Sequence, residues 1–172
     1  MLTVADWNSF PDDDLLRHEI IGGQHYTQRG ATTRHQRVLT HLLRDLCEYA
    51  DARDELAVHV VGTVLSNIDA VIPDFVYLRK DPRDFMDKPY IDEPPDLIVE
   101  IVLDETRQVD YTVKRDLYER AGVGEYWIVD PDDETVHVFR RAGERLQLVE
   151  PMDPITSPLL PGFSLTLERL FA

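Results

Sequence analysis

Apolar residues recur along this chain at two different spacings, and each spacing predicts a different kind of element. From His35, the positions Val38, Leu39, Leu42, Leu43, Leu46 and Cys47 follow at i, i+3, i+4 intervals. On a turn of 3.6 residues these gather on one face of a helix, which should end near Ala50. Thr33, with Gln36 three residues later, has the spacing of a capping box and predicts the helix start. Elsewhere the period is two, or the apolar run is continuous. His18 to Ile21, the pair Gly22-Gly23, and Gln24 to Gln28 predict a hairpin with a glycine turn. The valine-rich stretch from Ala57 to Leu65 and the alternating stretch from Asp74 to Leu78, after Pro73, predict strands. Leu97 to Val102 is nearly all apolar, the pattern of a strand covered on both faces.

A second long helix is expected from about Arg107 to Ala121, with Gly122 as the residue that stops it. Glu125 to Val129 then reads as a strand, Asp130 to Glu134 as a turn, and Thr135 to Arg140 as the returning strand. Gly143 precedes a further strand from Arg145 to Val149. Val4 to Phe10 predicts a short helix ended by Pro11. Arg79 to Pro95, charged and proline-rich, predicts a surface loop, and so does Pro151 to Gly162. The tail closes with a short strand and a helical turn near Leu167. This order packs most naturally as a mixed sheet flanked by helices, an α/β (α+β) arrangement with an N-terminal β-hairpin. No repeat, low-complexity tract or linker divides the 172 residues, so one domain over 1–172 with a real core is expected.

Composition narrows the range of functions. No apolar run approaches the roughly 20 residues that cross a bilayer, and the N-terminus has neither a basic start nor a hydrophobic signal core. A cytoplasmic protein without membrane contact is the expectation. The single Cys47 cannot form an internal disulfide or a thiolate zinc site, and reads as a small core residue. The six histidines show no i, i+4 pair and no metal-ligand cluster, so they read as surface or packing residues. Asp130, Asp132, Asp133 and Glu134 lack the glycine and distal glutamate of a calcium loop and read as a solvated turn. There is no P-loop, GxGxxG or GxSxG element, and Tyr126 with Trp127 reads as a core strand rather than a base-stacking platform. A net charge of −15 opposes nucleic-acid binding, which depends on neutralising phosphates. Local groups such as Arg29, Arg34 and Arg37, or Lys114 and Arg115, or bound divalent cations, would have to offset it.

Three side chains stand out against their surroundings. Glu100 lies inside Leu-Ile-Val-Glu-Ile-Val, where burial would cost several kcal/mol unless the carboxylate is paired, protonated or bound to a cation. It could also face solvent at a strand edge or pair with a structural arginine. Asp74 opens a strand after Pro73, a place where aspartate is often structural. Together the two carboxylates could share one edge of a sheet and hold a hard cation such as Mg²⁺. Lys114 lies on the apolar side of its helix, among Leu117, Tyr118 and Ala121. It must either snorkel or direct its ammonium at something negative.

The motifs carrying these residues resemble one family. They are Ile-Pro-Asp-Phe-Val around Asp74, Pro-Asp-Leu-Ile-Val-Glu-Ile-Val from Pro95 to Val102, the helix from Asp110 to Val123, and Glu-Tyr-Trp-Ile-Val-Asp-Pro from Glu125 to Pro131. Glu-Ile-Ile-Gly-Gly, His-Gln-Arg-Val and Ser-Pro-Leu-Leu-Pro-Gly extend the likeness over nearly the whole chain. The chain is similar to the Uma-two family of proposed endonucleases, formerly a domain of unknown function, in the restriction-endonuclease-like PD-(D/E)xK superfamily.

The resemblance implies a central mixed sheet flanked by helices and Mg²⁺- or Mn²⁺-dependent phosphodiester hydrolysis on DNA. Homodimerisation would suit an enzyme that cuts two strands. By position, Asp74 and Glu100 become the metal carboxylates. Val102 stands where the usual lysine would, so Lys114 on the following helix supplies that charge. Glu19 matches a further acidic position, although an ordinary exposed strand residue would look the same. One departure is Val-Leu-Asp-Glu-Thr from Val102 to Thr106, where the family usually reads close to Leu-Ser-Pro-Ser-Thr. Asp104 and Glu105 there could tighten metal binding or repel a phosphate backbone. The alternative expectation is a catalytically silent nuclease-like fold acting as a regulatory or protein-interaction module.

Overall fold

A computed structural model describes residues 1–11 and 16–172. Among these, the first elements are the short helix α1 (Val4–Trp7) and the hairpin β1 (Leu16–Ile21) and β2 (Gln24–Arg29). Gly22 and Gly23 both take positive φ, 59° and 73°, as a tight two-residue hairpin turn requires. Helix α2 spans Thr33–Asp51. Its cap is Thr32 rather than Thr33: Thr32 is extended, and its side chain accepts the backbone N–H of His35. The two adjacent threonines offer the same chemistry, and only the backbone decides which one lies outside the first turn.

The predicted strand from Ala57 to Leu65 is two strands, β3 (Leu56–Val58) and β4 (Thr63–Ser66), belonging to different sheets. Between them Val60 adopts a left-handed φ of 50°, a strained conformation for a β-branched residue, where the chain leaves one sheet for the other. A strand the pattern did not reveal, β5 (Asp69–Val71), lies between β1 and β4. Then follow β6 (Phe75–Leu78) and β7 (Leu97–Ile101). The intervening 79–95 stretch is not wholly superficial. It carries a 3-10 turn at Pro82–Asp84, and Phe85 and Ile91 are buried.

The second helical region is interrupted. It consists of α3 (Arg107–Val109), a π-helical stretch Asp110–Lys114, and α4 (Arg115–Ala121). Gly122 ends it with φ 91°, the left-handed conformation glycine adopts without a steric penalty. Next come β8 (Glu125–Asp130), β9 (Thr135–Ala142) and β10 (Arg145–Leu148). The 151–162 region, expected as a loop, contains β11 (Ile155–Ser157) and the start of β12 (Leu160–Leu165), which pair with each other. Helix α5 (Leu167–Phe171) closes the chain.

The main sheet has the order β10-β9-β8-β7-β6-β3; β7 and β8 run parallel, and the other pairs are antiparallel. A second sheet, β2-β1-β5-β4, carries the N-terminal hairpin. The expected mixed sheet flanked by helices is therefore present. Period-two alternation divides its core cleanly. Phe75, Tyr77, Leu97, Val99, Ile101, Trp127 and Val129 meet Val38, Leu39, Leu42 and Leu46 of α2 on one face. Val76, Ile98, Tyr126 and Ile128 meet Leu117 and Tyr118 of α4 on the other. Each large apolar side chain buried this way contributes roughly 1.5–3 kcal/mol relative to exposure. Cys47, itself on α2, is partly buried and packs against the core on that face. No helix is long and apolar enough to cross a membrane.

Candidate active site

Strand pairing sets the first relationship of the site. In the antiparallel β6–β7 pair Phe75 lies opposite Val99. Continuing that register one step places Asp74, just before β6, opposite Glu100. Alternation along β7 sends Leu97, Val99 and Ile101 toward α2 and leaves Glu100 with Ile98 and Val102 on the face that α4 covers. Glu100 is 2% exposed, so it is neither a strand-edge glutamate facing solvent nor the partner of an arginine.

The helical region supplies its partners. Asp110, Lys114 and Tyr118 recur every fourth residue, and all three are buried. The π-helical stretch between them widens the turn, a feature often found where a helix carries function. Lys114 Nζ donates to Glu100 Oε1 over 3.0 Å and lies 3.1 Å from Oε2 of Glu19, which projects from β1. Asp110 Oδ1 is 3.6 Å away. Tyr118 donates its hydroxyl to the same Oε1 of Glu100 at 2.7 Å. The other oxygen of Glu19 accepts the backbone N–H of Ile72 at 2.8 Å. Lys114 therefore does not snorkel. It is 1% exposed, sits among three carboxylates, and is not a surface cation that could join Arg115 in a basic patch.

Asp74 is held separately, from three elements. Its Oδ1 accepts from Arg17 Nη1 of β1 at 2.7 Å. Its Oδ2 accepts the backbone N–H of Ile101 at 2.8 Å and lies 3.1 Å from His35 Nε2 of α2. His35 is completely buried, so this histidine is a partner of the acidic site and not a surface or simple packing residue. Arg17, with 18% of its side chain exposed, connects Asp74 to the outside.

Charge explains the titration behaviour. Burial disfavours ionised Asp74, but the hydrogen bond and charge of His35, with Arg17, outweigh it and draw its pKa down to about 2. Glu100 goes the other way. Burial, opposed by Lys114 but reinforced by Asp110, Asp74 and Glu19, pushes it up to about 8. Burial likewise raises Asp110 to about 6 against the pull of Lys114. For Lys114, burial works against the charge, yet Glu100, Glu19 and Asp110 hold its pKa well above the ordinary lysine value. Four carboxylates face the fixed charges of Lys114 and Arg17, an excess of two negative charges before His35 is counted. A proton or a further cation must offset part of that excess.

Of the residues expected from sequence, Glu19, Glu100 and Lys114 meet directly, and Asp74 stands beside them under separate restraint. Arg17, His35, Asp110 and Tyr118 join them without having been singled out. For Asp110 and Tyr118 a signal existed, since both lie four residues from Lys114 on the same helix face. Among the described residues, no three His, Cys, Asp or Glu side chains already stand around a common metal position; the ammonium of Lys114 stands among them instead. The donor set nevertheless suits a hard divalent ion. It consists of carboxylate oxygens, and Asp110 Oδ1 has no hydrogen-bond partner.

At the ends of β7 and β8 and the start of α2 opens a cleft of about 560 Å³, which none of the cluster's own side chains line. Its charged walls are Arg29 and Arg34 against Asp104, Glu105 and Asp132. Arg34 pairs with Asp132 at 2.6 Å, and Glu105 accepts the backbone N–H of Arg29 at 3.0 Å. Arg37 instead donates to the Ala172 carbonyl. Asp130, expected in a solvated turn, is 1% exposed and pairs with Arg107.

A family model, Uma2, described as "Putative restriction endonuclease", matches residues 4–168. No curated protein matches the chain. Among solved structures, the fold is similar to "a putative nuclease belonging to DUF820" from Anabaena variabilis ATCC 29413. The TM-score is 0.83 at 17% identity, covering 99% of this chain and 98% of that one. A weaker likeness, with a TM-score of 0.45 and 19% identity, is to the type IIG restriction endonuclease BpuSI, covering 80% of this chain and 15% of that one.

Proposed function

Because the chain belongs to the Uma2 family of restriction-endonuclease-like proteins, we propose that it is a metal-dependent endonuclease hydrolysing phosphodiester bonds in DNA. The observation that carries this reading is the buried cluster around Asp74, Glu100 and Lys114, in which the carboxylates of Asp74, Glu100, Glu19 and Asp110 face the fixed charges of Lys114 and Arg17 alone. Residues 1–172 act as one nuclease-like domain, a cytoplasmic protein that works as a homodimer when both strands are cut.

Asp74 and Glu100 would hold Mg²⁺ or Mn²⁺, with Glu19 adding to the acidic wall. The bound ion would lower the pKa of a water and offset charge on the phosphoryl oxygens. The protein's own groups do the positioning. Arg17, His35 and the Ile101 N–H fix both oxygens of Asp74, so its carboxylate cannot swing away. Tyr118 and Lys114 fix one oxygen of Glu100. Lys114 holds its proton at Nζ and places a full positive charge beside the carboxylates, where it would stabilise a phosphate oxygen or orient water.

The test uses purified protein with supercoiled, linear and single-stranded DNA, with Mg²⁺, Mn²⁺ or EDTA. Metal-dependent cleavage abolished by Asp74→Asn and by Glu100→Gln is expected. Cleavage that survives in both variants would rule out this site.

One observation favours a second reading, a silent nuclease fold that serves as an interaction module. The charged walls of the cleft at the ends of β7 and β8 carry three acids against two arginines, on a chain of net charge −15. On that reading the wild-type protein binds neither Mn²⁺ nor DNA in calorimetry, and it recovers a basic protein in a pull-down that Asp104→Asn/Glu105→Gln loses.

A further inference from the structure

The acidic cluster reaches the outside through Arg17, and the surroundings of that arginine are aromatic. Arg17, which holds Oδ1 of Asp74, lines a second pocket of about 450 Å³, an ordinary size for a small-ligand site. Trp7, Phe10 and His18 supply its rings, and Val60 and Ile72 also line it. These last two tie the pocket to the cluster. The Val60 N–H donates to the Asp74 carbonyl at 3.3 Å, and the Ile72 N–H donates to the Glu19 carboxylate.

The rings are fixed in place. Trp7 donates its indole N–H to the His18 carbonyl at 2.6 Å. Its far edge lies against Gly62, where a Cβ would come within 2.7 Å of Cη2, so a side chain there would displace the indole. Phe10 is backed by His25 and His18, with ring centroids 4.5 and 5.0 Å away. Trp7 and Phe10 are nevertheless only half-buried. Val60 keeps its left-handed φ of 50° at this pocket with 41% of its surface exposed, strain of a kind that gathers at ligand sites. Arg17 uses one N–H on Asp74. Among the described residues its other guanidinium donors have no protein partner, and 18% of the side chain is exposed.

We propose that this pocket is a nucleotide subsite, in which an unpaired base of a DNA strand stacks on Trp7 and Phe10 and the adjoining phosphate docks on Arg17. The inference rests on the nuclease reading for its substrate class and adds where the strand enters. Aromatic rings accept the face of any base, and guanidinium donors match phosphate oxygens. The base has to be unpaired, because a duplex keeps its base faces inside the stack. The net charge of −15, with three aspartates following Pro11 in the sequence, makes stacking rather than charge the main source of affinity.

Binding is measured in EDTA, so that cleavage does not enter. An oligothymidylate is titrated into the whole chain and followed by calorimetry and by Trp7 fluorescence; the other tryptophan, Trp127, is fully buried. Quenching is expected, with Phe10→Leu weakening binding about ten-fold and Phe10→Tyr retaining it. An abasic oligomer of the same length, and a blunt duplex, should each bind about ten-fold more weakly than the oligothymidylate. With one phosphate contact, affinity should fall only about two- to three-fold from about 50 to about 200 mM salt. Unchanged affinity in Phe10→Leu, or equal affinity for the abasic oligomer or the duplex, overturns the proposal. No oligothymidylate binding by wild type also overturns it, even where DNA is cut with Mn²⁺, an outcome that leaves the nuclease reading intact. Binding that depends on Phe10, with no cleavage under either metal, supports the subsite and removes the nuclease reading instead. If Phe10→Leu does not fold, ultraviolet cross-linking of wild type to an oligomer carrying iodouracil decides. An adduct on Trp7 or Phe10 supports the subsite, and adducts only elsewhere refute it.

Discussion

The ammonium of Lys114 donates a hydrogen bond of 3.0 Å to Oε1 of Glu100, and neither side chain reaches solvent. Burial makes both groups expensive unless they stay together, so the pair is a constraint on folding as well as a part of the site.

Replacing Lys114 by methionine should therefore destabilise the metal-free protein by about 3–5 kcal/mol, since it strands Glu19, Glu100 and Asp110 without a cation. Urea denaturation measures it. Adding Glu100→Gln to Lys114→Met should restore part of the loss, because the two changes remove opposite charges from one contact. A double variant as unstable as the sum of the singles would contradict the coupling.

Tyr118→Phe removes the 2.7 Å hydrogen bond to Glu100 while keeping the ring that packs against Tyr126. A loss of about 1–3 kcal/mol is expected, the cost of leaving a buried acceptor short of a donor. In a Glu100→Leu background the same change should cost much less. Equal costs in both backgrounds would mean that the hydroxyl acts elsewhere.

Helix α2 offers a test of its own start. Thr32→Ala should cost about 1 kcal/mol through the lost bond to the His35 N–H, whereas Thr33→Ala should be close to neutral. The loss at Thr32 should also reach the site, because His35 is the first-turn residue that carries the contact to Asp74. Denaturation of the two variants side by side decides it; a larger loss at Thr33 would return the cap to that residue.

Acid stability should depend on Arg107 and Asp130. Burial raises the Asp130 pKa, but hydrogen bonds from Arg107 and from the N–H groups of Asp133 and Asp132 outweigh it, leaving it below the ordinary value of 3.8. A depressed carboxylate contributes stability above its unfolded pKa and loses it as pH falls through the folded one. Wild type should therefore lose this contribution only below about pH 4. Arg107→Met should be less stable by about 1–2 kcal/mol at pH 7, an amount discounted because Arg107 is partly exposed, with the difference closing as the pH falls toward 2. Thermal melts between pH 2 and 7 would show it, and a difference that stayed constant across that range would be the contrary result.

The alternation of β7 and the four-residue spacing after it made much of the site legible. Glu100 in an apolar strand and Lys114 on an apolar helix face are anomalies that any helical or pleated geometry would expose, because periodicity states which face a residue shares. The same periodicity says nothing of which strands become neighbours. Ala57 to Leu65 reads as one valine-rich run, yet the left-handed Val60 divides it between two sheets. Nor does periodicity find short strands such as β5 and β11, which are three residues long and gain their identity from the partners they pair with.

By itself the sequence determined the faces: α2 and its apolar stripe, the apolar run from Leu97, the glycine hairpin, and the anomalous placing of Glu100 and Lys114 among apolar residues, whose burial the fold then decided. Tertiary structure alone decided the partners. Arg17 and His35 stand 57 and 39 positions from Asp74, and Glu105 lies 76 from the Arg29 backbone it binds. Such contacts arise from sheet register and helix docking, which sum many weak packing terms across the chain, so no local pattern encodes them. Asp110 shows the difference most clearly. Its spacing from Lys114 was visible in the sequence, but only the fold buried its carboxylate next to that ammonium and left Oδ1 without a hydrogen bond.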